Sequence, residues 1–425
     1  MKLKCSDINK LEKILELSKL APEESGKTTA RIFVKDDDIT FIFQGEFNTI
    51  RLSGKLKEFG LEHKTEKKEA DATFSAYAMI KMLAQKCADT LTLEKTDRSL
   101  IVRNGKRKLT IPHHTGVILK DKHAVDITKI KIEELADAAK AHTVLSTKVG
   151  SCLLSGDTVL SVDGPNRRSC CTTKLSSKIP DKLKVKTVDG EEIEKDIGIC
   201  IASRSLFKVA PLLSSIIDGD DVQVSLTMPD KEFSDFRVSG KSQLGGEFKL
   251  DIRMFDKHIA GSMQTVLSRM GTVKLTKPAK LTAETASSIS LSMATEDSPS
   301  QAVIILSNQK EKGKLEIKNP DKTFQDTVEV ESGCEFTVSV RPDLAYKALT
   351  CLSEPELVFG DGTKVLMIKE DDTLFMLGCL VDSSLGLTYH AENYRVVGSE
   401  PAGSTQPEEG TVQESGRSVA QSQQS

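Results

Sequence analysis

Residues 336–349 read Phe336-Thr-Val-Ser-Val-Arg-Pro-Asp-Leu-Ala-Tyr-Lys-Ala-Leu349, and the pattern changes at Arg341. Before it, apolar residues alternate at Phe336, Val338 and Val340, the period of a strand. After it they recur at Leu344, Ala348 and Leu352, the three- and four-residue steps of a helix with one buried stripe. Pro342 suits the start of that helix, where its missing N–H has no helical partner. Alternating strands then follow at Glu356-Leu-Val-Phe, Lys364-Val-Leu-Met-Ile and Leu374-Phe-Met-Leu. The unit is strand, amphipathic helix, strand hairpin.

Working outward, the same unit occurs twice more. Ala72-Thr-Phe-Ser leads into a helix over residues 76–87, with Met79, Ile80 and Leu83 on one face. Strands follow at Thr90-Leu-Thr-Leu, Leu100-Ile-Val-Arg and Arg107-Lys-Leu-Thr-Ile. Ile197 to Ala202 leads into a helix predicted over Ser203 to Ile217, with Leu206, Val209 and Leu213 in its stripe. Val222-Gln-Val-Ser-Leu and Phe236-Arg-Val come next. These helices begin about 130 residues apart, one domain length.

A second helix precedes each unit. Met1-Lys-Leu-Lys-Cys leads into a helix from about Asp7 to Leu20, carrying Ile8, Leu11, Ile14 and Leu15 on one side. His123-Ala-Val-Asp-Ile leads into a helix over 131–140, and Ala279-Lys-Leu-Thr-Ala into one over 284–293 that serines dilute. Two helices and two runs of strands per unit predict an α+β domain with both helices packed on antiparallel sheet. The chain is therefore predicted to hold three such domains in tandem, at 1–122, 123–272 and 273–397. Residues 398–425 are Ser, Gln, Glu, Gly and Pro with almost no large apolar residue, the composition of a disordered tail.

Composition narrows the function classes. No run approaches the ~18 apolar residues of a membrane helix, and the N-terminus has no secretory pattern. Nine cysteines without a Cys-x-x-Cys pair predict reduced thiols in a cytoplasmic protein rather than a disulfide frame or zinc site. Aromatics make up 4% of the chain, which leaves little for base stacking. The net charge of −3 conceals an asymmetry. Residues 1–125 carry 24 basic and 18 acidic side chains, and residues 271–425 carry 14 and 23. A local basic surface fits this, and so does plain segregation over solvated faces.

The motifs that suggest chemistry lack their companions. Gly26-Lys27-Thr28 and Gly240-Lys241-Ser242 each end like a phosphate-binding loop, but Ala21 and Asp235 stand where its leading glycine belongs. His113-His114 has no further ligand at metal spacing. Asp36-Asp37-Asp38 and Glu370-Asp371-Asp372 join alternating segments and read as hairpin turns. No nucleophile elbow and no acid–base cluster is present. The expectation is a binding protein with no catalytic residues, metal or cofactor.

The opening stretch, in its order of strand, helix and hairpin, resembles the third domain of the bacterial beta sliding clamps, the processivity subunit of replicative DNA polymerase. Leu160-Ser-Val-Asp-Gly-Pro-Asn-Arg-Arg168 is similar to that family's strand-turn in its middle domain, and Leu91 to Pro112 to its first-domain hairpin. The resemblance covers residues 1 to about 385. Pro165-Asn166 stands where the family usually has His, Gly378-Cys379 where it has a proline-containing end, and about 40 residues follow where bacterial clamps stop. A divergent clamp, such as a phage-encoded one, fits these departures.

The resemblance implies a head-to-tail homodimeric ring whose helices line a channel for double-stranded DNA, read without sequence preference. Candidate DNA contacts on helices are Lys10, Lys13, Lys81, Lys86, Lys140, Arg204, Lys208, Arg341 and Lys347, with Lys27 and Lys148 on loops. Each is equally an ordinary solvated lysine or arginine when taken singly. The resemblance also implies an apolar pocket between domains 2 and 3 for short peptides of the polymerase and clamp loader. Val162, Gly164, Asn166 and Arg167 match it from domain 2, and Met376, Leu377 and Cys379 from domain 3; core packing is the competing reading of these positions. The tail is a candidate tether or gate for that pocket. Rival readings are a non-ring viral processivity factor, an enzyme with an unrecognised site, and a structural repeat protein.

Overall fold

Alternation builds the sheets and three- to four-residue periodicity the helices, and the computed structural model shows how they join. It describes residues 2–21, 29–64, 69–85, 88–113, 122–145, 150–163, 169–186, 192–228, 232–272, 279–296, 302–309, 313–332, 335–359, 364–387 and 389–391. The 398–425 segment predicted as a tail lies outside them.

Helix α1 (Ile8–Glu16) opens domain 1. Asp7 caps it, its Oδ1 accepting from the Lys10 N–H at 2.9 Å, and a 3-10 turn (Leu17–Leu20) continues it. Helix α2 (Ala76–Leu83) is its partner. Domain 2 carries α3 (Ile132–Thr143) and a second helix that differs from expectation. The helix predicted over Ser203 to Ile217 is three pieces: α4 (Ser203–Phe207), a 3-10 turn (Ala210–Leu212) and α5 (Leu213–Ile216). Pro211 interrupts it, having no N–H to donate and a ring that clashes with the preceding turn. A helix that the periodicity reading passed over, α6 (Lys257–Thr272), connects domains 2 and 3. Domain 3 carries α7 (Ala283–Ala294) and α8 (Pro342–Thr350).

The sheets tie the domains together. Ala124–Lys131, Asp221–Thr227, Asp235–Lys241 and Glu247–Arg253 of domain 2 continue into Asn48–Lys55, Asp38–Gln44, Thr29–Lys35 and Glu69–Ser75 of domain 1, forming one eight-stranded sheet. Ile199–Ala202, Ser151–Val162 and Ser169–Ile179 of domain 2 continue into Thr373–Gly378, Val365–Glu370, Glu356–Phe359, Ala279–Lys280 and Glu331–Ser332 of domain 3. A five-stranded sheet closes each end. The first runs Leu61–His63, Lys2–Cys5, Leu91–Lys95, Ser99–Asn104, Arg107–Pro112. The last runs Gln325–Glu329, Lys314–Lys318, Ile304–Gln309, Phe336–Val340, Tyr389–Ala391. Both acidic triplets are hairpin turns, with Asp36 and Asp371 at positive φ. Gly240 and Lys241 end a strand, so that half-motif is not a phosphate loop.

The helices bury one stripe each against these sheets. Ile8, Leu11, Ile14 and Leu15 of α1, and Leu344, Ala345, Ala348 and Leu349 of α8, are all buried. Domains 1 and 2 share an apolar core that runs through their common sheet, while a second core of domain 3 takes in Ala141, Leu145 and Cys171 of domain 2.

Candidate nucleic-acid interface and junction groove

The face of each helix opposite its sheet decides what the protein presents on that side. Lys13 on α1, Arg204 on α4 and Lys347 on α8 are exposed. Lys81 on α2 sits 4.6 Å over the Tyr77 ring, which keeps its ammonium at the surface. Lys140 on α3 pairs with Asp137 at 2.7 Å, and that hydrogen bond pushes its pKa up. Lys208, just past α4, donates to the Lys19 carbonyl at 2.8 Å; burial and the neighbouring Arg204 lower its pKa.

Two candidates are drawn elsewhere. Lys10 Nζ donates to the Glu58 carbonyl at 2.8 Å, and Arg341 makes a two-pronged pair with Asp343 at 3.0 and 2.7 Å. Both groups are locally engaged because a carbonyl or carboxylate lies within reach of the helix start. Lys27, Lys86 and Lys148 fall outside the described residues. The helix α7 has no basic residue at all and one acid, Glu284, and α3 exposes Glu133 and Asp137 beside Lys140, so the exposed candidate cations stand on α1, α2, α4 and α8.

The second expected site is the junction of domains 2 and 3. Here Val162 pairs with Cys170 and Cys170 with Met376, a row across three strands. Val162 and Cys170 belong to one apolar cluster with Leu160, Cys200 and Met263, against which Met376 packs. Leu377 and Cys379, expected in the same pocket, face the core of domain 3 with Phe375 instead. The reason is the two-residue period: Met376 points to the groove, so its neighbours on either side point away. Gly164, Asn166 and Arg167 lie outside the described residues.

The apolar row has a cover that sequence reasoning missed, helix α6. Met270 of α6 meets Cys170 at 3.5 Å between sulfurs, and Met263 meets Cys200 at 3.5 Å and accepts from Ser151 Oγ at 3.3 Å. Burial pushes the Cys170 thiol up to about 12, so it stays neutral. A signal was present in the sequence: Ile259, Met263, Val266 and Met270 recur at helical steps, after an Asp256 whose side chain accepts from the His258 N–H.

Elsewhere the titratable groups are structural. His142 on α3 is fully buried; its Nδ1 shares a 2.6 Å hydrogen bond with Ser161 Oγ, and its ring stacks on Phe207 at 4.9 Å. Burial lowers its pKa to about 3, which keeps it neutral. His113 Nδ1 accepts from the Thr73 N–H at 3.0 Å, a strand-end contact. Among the described residues no group of three His, Cys, Asp or Glu converges as a metal site, the cysteines are free, and no helix is long and apolar enough to cross a membrane.

Tandem two-helix domains joined by continuous sheets define the sliding-clamp fold, and comparison with solved structures finds it. The DNA polymerase III subunit beta of Pseudomonas aeruginosa superposes with a TM-score of 0.67 at 14% identity, over 90% of this chain and 100% of that one. The beta sliding clamp of C. crescentus, solved with polyethylene glycol at a putative beta-motif tethering region, gives 0.67 at 14%, with the same coverage. The Helicobacter pylori beta clamp bound to a DNA ligase peptide gives 0.61 at 15%, also over 90% and 100%. No protein-family model and no curated protein matches the chain. The similarity lies in the fold, at sequence identities of 12–15%.

Proposed function

We propose that this protein is a DNA sliding clamp: two copies close head to tail into a ring around duplex DNA and tether a polymerase to it. The observation that carries this reading is the pair of sheet edges left over at the chain ends. At the first junction Glu247–Arg253 of domain 2 pairs with Asn48–Lys55 of domain 1; at the second, Thr373–Gly378 of domain 3 pairs with Ser169–Ile179 of domain 2. By position in their domains, the strands equivalent to these partners are Arg107–Pro112 in domain 1 and Gln325–Glu329 in domain 3. Each is the terminal strand of its sheet. A second copy supplies the missing pairing in the same sense, and exposed sheet edges favour such addition.

Charge and shape support the match. Arg107 and Lys108 stand on one edge, Asp326 and Glu329 on the other. Beside the first edge Tyr77 is 63% exposed at a hollow of about 600 Å³ lined also by Met82 and Leu109. On the first helix of domain 3, Leu291 is 59% exposed. At the second junction Ala141 and Leu145, from the first helix of one domain and the turn after it, share an apolar cluster with Leu344, Ala345, Ala348 and Leu349 of the second helix of the next domain. The same arrangement brings Leu291 to Tyr77.

Within such a ring the exposed cations on the helices attract phosphates without reading bases, as sliding requires. The groove at the second junction takes a short segment of the polymerase or of a loader through apolar anchors. Light scattering and retention on circular DNA test the proposal. The expected result is a particle of twice the 46.4 kDa chain mass that stays on closed circles and runs off linear DNA. A monomer at micromolar concentration, or equal loss from both DNA forms, overturns it. The double change Arg107→Glu with Lys108→Glu is expected to weaken the dimer at least tenfold.

A further inference from the structure

Helix α6 lies over the groove that the preceding reading assigns to partner segments. Its inward stripe is apolar, with Ala260 and Met263 fully buried and Ile259, Val266, Leu267 and Met270 half-buried against the junction sheet. Its buried contacts are mostly soft, sulfur on sulfur at Met270–Cys170 and Met263–Cys200, with one hydrogen bond from Ser151 Oγ to the Met263 sulfur. A polar latch holds its start, where Lys257 donates to Glu232 at 3.0 Å.

One residue of the helix is out of character. Gly261 sits within α6 on the exposed side, at the rim of a hollow lined also by Gly198 and Phe233, and beyond the helix's own backbone no described atom lies within 4 Å of the place a Cβ would occupy. Packing does not demand glycine there, and a helix-interior glycine weakens the helix relative to alanine. Attachment by an apolar seam together with a helix weakened at its solvent face describes an element built to leave.

We propose that α6 is a displaceable internal occupant of the junction groove, and that a partner segment reaches the Val162–Cys170–Met376 row only after the Met270 end of α6 lifts. This rests on the clamp reading given above. Both occupants bury the same apolar row, so they exclude one another, and partner affinity falls by the fraction of molecules in which α6 is seated. The helix thereby sets a threshold: a partner tethered nearby, at high effective concentration, displaces it, whereas a free peptide competes poorly.

The test uses the full chain and, as probe, a fluorescein-labelled copy of the DNA ligase peptide held by the Helicobacter pylori clamp. Gly261→Ala strengthens the seated helix and is expected to weaken peptide binding roughly threefold to fivefold. Met270→Gln loosens it and is expected to tighten binding about tenfold. Hydrogen exchange across residues 259–270 is expected to speed up on peptide addition. Peptide binding that both variants leave unchanged, or that slows exchange in α6, makes the helix a fixed wall and overturns the proposal while the docking reading stands. A peptide that binds none of the three proteins overturns both, and the ring and circular-DNA measurements then show separately whether the clamp reading survives.

Discussion

The two internal junctions continue a sheet in the same way, yet they are held by opposite chemistry. Between domains 1 and 2, six residue pairs run from Glu247↔Ser53 to Ile252↔Asn48, and a buried charged clasp lies on that sheet. Arg237 grips Asp251 with Nε at 2.6 Å and Nη2 at 3.1 Å, and Arg51 from domain 1 reaches the same carboxylate at 4.0 Å. Between domains 2 and 3 there are four pairs, with Cys170 opposite Met376, and the sheet is covered by the methionine face of α6. A buried ion pair is directional and costly to half-remove, so it fixes one geometry. An apolar seam has no preferred partner of its own kind, so its covering element is exchangeable. The first junction is fixed by charge and the second is held under an apolar cover.

Removing the shared carboxylate is the strongest way to break this contrast. Asp251→Asn is expected to cost about 3–5 kcal/mol, because two buried guanidinium groups lose their common counter-charge. Denaturant unfolding measures it, and a loss below about 1 kcal/mol would sink the idea that the clasp holds the junction. Gly246 comes next. It turns the hairpin toward domain 1 at φ +68°, and a Cβ there would run into the Ser53 carbonyl. Gly246→Ala is expected to cost at least about 1–2 kcal/mol from the left-handed backbone alone. It should also loosen the sheet pairing between domains 1 and 2, read as faster amide exchange at residues 48–53.

Acid should act unequally on two buried groups of domain 2. His142 beside Ser161 is neutral when folded and titrates near 6.5 when unfolded, so the unfolded chain binds the extra proton as pH falls. Its contribution is full above about 6.5 and declines from there toward its folded pKa of about 3, at up to about 1.4 kcal/mol per pH unit. Asp235, one strand in from the first junction, behaves differently. Burial raises its pKa, but hydrogen bonds from Lys122, Thr227 and Ser234 outweigh that and hold it below the ordinary aspartate range. Its contribution is lost only as pH drops through that lowered value. Urea titrations at pH 7 and 5 should therefore show a loss that His142→Gln largely abolishes; an unchanged loss in the variant would refute the assignment. The smallest effect per residue concerns DNA. Lys13→Glu or Lys347→Glu should each reduce the salt slope of DNA binding by about 1, and equal slopes before and after would remove that lysine from the interface.

Much of this architecture was legible in the residues. The alternation at Phe336, Val338 and Val340 and the stripe at Leu344, Ala348 and Leu352 became a strand and α8 within a residue or two. Local pattern misled where one residue overrode it, as Pro211 did in the broken helix of domain 2. It also misled where a run of candidate residues ignored strand alternation. Met376 faces the groove, but Leu377 and Cys379 turn to the core, because adjacent strand residues cannot share a face. The stripe of α6 was readable but had no counterpart in the other two repeats, and repetition was the guide.

By itself the sequence determined the type and order of the elements that repeat around α2, α4 and α8, since apolar period and turn chemistry are local quantities. It also determined that three similar domains follow one another. Only the tertiary structure decided which strands join domains, that Arg107–Pro112 and Gln325–Glu329 end their sheets among the described residues, and that α6 seats on the Val162–Cys170–Met376 row. Those outcomes depend on residues distant in sequence meeting across a sheet. No period along the chain encodes which buried charge or which sulfur will be its neighbour.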